Sequence, residues 1–180
     1  MKKTKVKKAK GQRALSRLVV PSDAWKVMRD ARLAFGDFKK AVEAGDAARC
    51  RIYWILCVTL LRAVGHILEK KDAARSQWLA TSVKSHYQEL QRRRLGDLIY
   101  WEFIVEERNI LLKEYSASII EKNGCVIELT NLLVGGVFYT PADAIETSLG
   151  WWADNLRGIQ EQADIHKTRD RQASNSRTVP

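Results

Sequence analysis

Between Ile52 and Leu61 the chain reads IYWILCVTLL, ten consecutive residues without a charge. A membrane-crossing helix needs about 18–20 apolar residues, and this run has half that length. It therefore reads as the core helix of a bundle, over about residues 47–70. Hydrophobicity on every side marks an element enclosed by others, so this helix is expected to be the most deeply buried. The rest of the chain suits such a core: 46% of the 180 residues are hydrophobic, 29% are charged and three are proline. The lysine-rich start is not followed by a long apolar region of the secretory kind. A cytoplasmic protein with no membrane association is the expectation.

Helix boundaries are signalled on both sides of this run. Pro21 and Ser22 open a first helix with the stripe Trp25, Met28, Ala31, Phe35, Phe38 and Val42. Gly45 closes it and Asp46 can cap the next, making the two antiparallel neighbours. Asp72 is expected to cap a third helix over 73–93, striped by Leu79, Val83, Tyr87 and Leu90 and stopped at Gly96. A fourth is expected over 98–121, ending at the turn pair Asn123-Gly124. Residues 125–129 and 137–139 then suggest one short hairpin bent at Gly135-Gly136. Thr140-Pro141-Ala142-Asp143 is a helix start with its own cap, followed by the stripe Ile145, Leu149, Trp152, Leu156, Ile159 and Ala163. The fold class is all-α: an antiparallel bundle of about five helices, with a short β-hairpin between the last two. Residues 1–20 form a basic tail, 21–168 the single domain, and 169–180 a polar tail.

One stretch departs from a plain core pattern. At steps of three and four, Leu98, Trp101, Val105, Arg108, Leu112, Tyr115 and Ile119 share a face, and six of these seven are apolar or aromatic. A guanidinium in a dry core is costly, and breaking a buried ion pair costs about 3–5 kcal/mol. Arg108 therefore needs a carboxylate partner, a wet groove or an anionic ligand. Beside it runs the polar row Glu102, Glu106, Asn109 and Lys113, ordinarily a solvated face supported by i,i+4 pairs.

Residues 107–115, ERNILLKEY, resemble the signature helix of the HEPN superfamily, a set of small all-helical proteins. That signature is Arg, a polar residue, an apolar spacer, His, and often an acidic residue and Tyr. Arg108, Asn109, Glu114 and Tyr115 match, while Lys113 stands where the histidine belongs. Helix order and length extend the likeness over about residues 22–168. The resemblance implies a homodimer with the arginines meeting in a cleft; active members are metal-independent RNases. Histidine passes protons near neutral pH, whereas an unperturbed lysine, with a pKa of about 10.4, stays charged. The likeness thus implies fold and dimer geometry more than catalysis. Arg62 and His66, at i,i+4, imitate the signature with too short a spacer and read as a structural pair.

Net charge is +10, yet residues 1–17 hold eight Lys/Arg and no acid, and residues 18–164 hold 19 basic and 20 acidic residues. The basicity therefore lies in the tails, which attract RNA and other polyanions in a salt-dependent way. Cys50, Cys57 and Cys125 make neither a zinc site nor a disulfide framework, and are expected as reduced, buried thiols. The histidines His66, His86 and His166 suggest no ligand set, so no metal or cofactor is expected. The six tryptophans read as core anchors, with Trp151 off the stripe of its helix.

Three readings follow. The first is a catalytically silent HEPN-like dimer that binds RNA or a partner protein, such as a cognate antitoxin. Its binding residues would be Arg108, Lys113, Tyr115, Glu102 and Glu106. The second is a metal-independent RNase using Arg108, Asn109 and Lys113, with a base from His66 or His86. The third is an inert scaffold in which Arg108 pairs with Glu102, Glu107 or another carboxylate.

Overall fold

In the computed structural model, residues 22–114, 119–122, 126–129 and 132–176 are described. Among the described residues the fold is an all-α bundle of five α-helices: α1 (Asp23–Glu43), α2 (Ala47–Ile67), α3 (Gln77–Arg92), α4 (Glu106–Glu114) and α5 (Pro141–Ser176). Small antiparallel hairpins precede the last helix. Most of the expected caps are in place. Ser22 Oγ accepts the Trp25 amide at 3.3 Å and Asp46 accepts that of Arg49 at 3.0 Å. Thr140 Oγ1 accepts the Asp143 amide at 3.1 Å, as an N-cap does, while its hydroxyl donates to the Asp143 carboxylate. Gly45 ends the turn between α1 and α2 at φ 65°, a left-handed conformation that favours glycine.

The core lies where these helices converge. Phe38 of α1 packs on Trp54 of α2, and Trp54 on Phe103, with ring centroids 5.9 and 5.8 Å apart. All six residues of the α5 stripe are buried. Trp152, fully enclosed, meets Tyr100 edge-on at 5.8 Å.

Several expectations are corrected. Asp72 does not cap α3; Ser76 does, accepting the Leu79 amide at 3.4 Å. Asp72 is instead fully buried, and its carboxylate accepts the amides of Asp23 and Ala24 at 3.0 and 2.9 Å. It thereby satisfies two free N–H groups at the start of α1. A widened π-helical turn over Leu68–Asp72 and a 3-10 turn over Ala73–Arg75 carry the chain from α2 to that point.

The fourth helix is shorter than its pattern suggests, and its inward face is a different one. Ile119 and Ile120 belong to strand β1 (Ile119–Lys122), which pairs with β2 (Val126–Leu129). β-branched residues on both sides of a sequence containing Asn-Gly favour that pairing over further helix. The strand expected over 125–129 therefore pairs backwards onto 119–122. A second hairpin, β3 (Leu132–Val134) with β4 (Val137–Tyr139), bends at Gly135-Gly136. A π-helical segment over Ile99–Val105 leads into α4, and the buried residues are Ile99, Tyr100, Phe103, Ile104, Glu107 and Leu111. LIYWEFIV is apolar on nearly every side, so periodicity alone could not choose the inward face. Contact with Trp54, Trp151 and Trp152 does.

Helix α2 is also less enclosed than expected. Its buried face carries Cys50, Trp54, Cys57, Val58 and Leu61, but Ile52 and Leu56 on the far side are 61% and 41% exposed. By length and composition alone the continuous helix Ala47–Arg75 is able to cross a membrane, and 39% of its apolar window is buried against the bundle. Finally, α5 runs on through residues 169–176, where a polar tail was expected. Trp78 donates to the Asp170 carboxylate there at 2.6 Å.

Candidate functional site

On α4 the charged residue that the bundle buries is Glu107, not its neighbour Arg108. Glu107 is 4% exposed, and its Oε1 accepts the indole N–H of Trp54 at 3.0 Å. One position further round the helix, Arg108 is only partly buried and lies on the flank of α4. Its Nη1 donates to Asn109 Oδ1 at 3.4 Å, and among the described residues it forms no ion pair. The carboxylates Glu102 and Glu107, both proposed partners, are engaged elsewhere.

Glu102 leaves the expected polar row. Its carboxylate accepts the Gly135 amide at 2.6 Å and so fixes the bend of the β3–β4 hairpin onto the helix. Gly135 sits at φ 59°, a left-handed conformation that favours glycine, and a Cβ there would press on the Leu98 side chain. Glu106 and Lys113 are exposed, Asn109 is partly buried, and Tyr115 lies outside the described residues. Arg108 and Asn109 are thus brought together, Lys113 stands a turn further on toward solvent, and Glu102 faces the hairpin.

The histidines offered as bases do not reach this helix end within one chain. Trp54 marks where α2 meets Glu107, and His66 lies twelve residues further along α2, about 18 Å at 1.5 Å per residue. His86 packs against Tyr87 and Trp151 at centroid distances of 5.7 and 6.4 Å, near the opposite end of the helix that carries Arg108. Trp151 in turn donates to Asp97 Oδ1 at 2.9 Å, at the start of that helix. Burial pushes the His86 imidazole below its ordinary pKa, and the nearby Asp97 carboxylate offsets only part of this. Arg62 is partly buried beside the phenols of Tyr87 and Tyr100, whereas His66 is exposed, so the two form no working Arg–His pair.

Sequence reasoning missed the Trp54–Glu107 bond, although a signal existed. A tryptophan in a core helix needs an acceptor for its N–H, and Glu107 is the acid beside the apolar run that can supply it. No group of three or more His, Cys, Asp or Glu able to hold a metal ion occurs among the described residues. No family model matches this chain, and no curated protein or solved structure is detectably similar to it.

Proposed function

We propose that this chain is a HEPN-like helical module that acts as a cytoplasmic dimer, binds RNA through the Arg108 flank of α4, and is catalytically silent. The observation that carries the reading is a partly buried guanidinium hydrogen-bonded to a neutral amide rather than to a carboxylate. Such a group keeps its charge for a phosphate, and a charge-assisted bond of this kind is worth roughly 1.5–3 kcal/mol. Silence is supported by an exposed lysine at the position of the signature histidine, and by the distance of His66 and His86 from it. Self-association is supported by large apolar side chains turned away from the core: Ile52 and Leu56 on α2, and Leu112 on α4, which is 65% exposed. A cognate of the antitoxin or defence type is the natural partner of such a module.

The test is Arg108→Ala. A solvated flank arginine contributes little to folding, so urea unfolding should shift by about 1 kcal/mol or less. RNA affinity should fall roughly tenfold. Unchanged RNA affinity would transfer the role of this flank to a protein partner. A collapse of stability without a binding change would leave only the scaffold. Lys113→His restores the titrating group of the signature. RNase activity gained by that variant identifies a silenced site, whereas metal-independent cleavage by the wild type, lost in Lys113→Ala, overturns the silent reading.

A further inference from the structure

Arg92, Arg93 and Arg94 end α3 and enter the 3-10 turn Arg94–Gly96, all three exposed, with Leu95 at its apex 87% exposed. A basic cluster at a helix C-terminus complements the macrodipole and by itself says nothing of function. The position of Arg94 adds something. Its guanidinium carbon lies over the Trp101 ring, 5.1 Å from the centroid, while Tyr100 meets that ring edge-on at 5.0 Å. Trp101 is partly exposed, and its indole N–H is buried without an acceptor among the described residues. The core residue Trp152 also lacks an acceptor for its N–H among the described residues, so what sets Trp101 apart is the combination of partial exposure and a surface arginine over its ring.

Trp101, Val105 and Arg108 each follow a buried residue, Tyr100, Ile104 and Glu107, and are themselves partly buried, so all three border the buried face of the π-helical segment and α4. A guanidinium seated on an indole, with a second guanidinium further along the same chain segment at the border of the buried face, matches what unpaired nucleotides require. Unstacked bases lie on aromatic rings or guanidinium planes, and cations take the backbone. Of the three carboxylates between Trp101 and Arg108, Glu102 is turned to the Gly135 amide and Glu107 is buried against Trp54, while Glu106 is exposed.

We propose that Arg94 and Trp101 form a base-stacking platform, so that the RNA bound along this flank is single-stranded. This rests on the RNA-binding reading of Arg108 and names its substrate class. In a duplex the bases stack on one another and are withheld from such a platform.

The test uses the full chain and anisotropy titrations of a labelled RNA of about 12 nucleotides, single-stranded or annealed to its complement. The basic N-terminal residues attract both forms, so the ratio of the two affinities is the readout. Trp101→Leu should weaken single-strand binding about tenfold or more, leaving the duplex affinity as in the wild type. Trp101→Phe should retain most of the affinity. Should Trp101→Leu fail to fold by circular dichroism, Arg94→Gln at an exposed site carries the same readout. An unchanged affinity ratio in Trp101→Leu, or in Arg94→Gln where that replaces it, overturns the platform. If Arg108→Ala weakens RNA binding while that ratio stays unchanged, the platform falls and the RNA-binding reading stands. If the wild type binds neither RNA, both fall.

Discussion

The indole N–H of Trp54 and the carboxylate of Glu107, 53 residues apart in sequence, meet at 3.0 Å inside the bundle. Each makes the other's burial tolerable, because an enclosed donor or charge without a partner costs more than the bond is worth when made. Trp54→Phe removes the donor and should destabilise the fold by about 1–3 kcal/mol. Glu107→Ala strands the indole and opens space, and should cost about 2–4 kcal/mol. Glu107→Gln keeps an acceptor and should lie well inside that range. Urea unfolding of the three variants measures the order; an Ala variant no worse than Gln would contradict it.

Asp72 joins the start of α1 to the turn after α2. Removing its carboxylate leaves the amides of Asp23 and Ala24 without acceptors and breaks the 3.3 Å contact with Arg75. Asp72→Ala should therefore cost about 2–4 kcal/mol, more than an ordinary exposed cap. Asp72→Asn, able to satisfy one amide, should recover part of it. Amide exchange at residues 23–26 should accelerate in the Ala variant before exchange in α5 does.

His86 is held neutral by burial between α3 and α5, facing Tyr87 and Trp151 with Asp97 nearby. The unfolded chain takes up this proton near pH 6.5, the folded protein only at lower pH. Below 6.5 the unfolded state therefore binds more protons, and stability rises with pH in that window. The contribution is complete above pH 6.5 and is lost as the pH falls through the folded-state value. In His86→Gln the decline of stability from pH 7 toward pH 5 should be shallower than in the wild type. Parallel pH profiles would mean that His86 titrates alike in both states.

Cys57 is enclosed in α2, and burial pushes its thiol up to about 12; Cys50 is raised too, by burial first and by Asp46 second. The thiolate is the reactive form. In a Cys125→Ser variant at pH 8, a thiol reagent should therefore label neither residue in the native state and both in denaturant. Rapid native labelling would show that α2 opens.

What the sequence by itself determined is what reaches no further than a helical turn or two. The caps Ser22, Asp46 and Thr140 act on amides within four residues, and the α5 stripe repeats often enough for its period to name the inward face. The segment from Leu98 lacked that redundancy. It is apolar on nearly every side, so tertiary contact with Trp54, Trp151 and Trp152 chose Tyr100, Phe103, Ile104 and Glu107 for the interior. That choice left Trp101 and Arg108 on the flank. Asp72 shows the same division: next to a helix start in sequence, it serves another helix start 49 residues away. A local cap needs only its neighbours, whereas a carboxylate taken out of water needs several donors at once. Only the folded chain brings those donors together from distant segments.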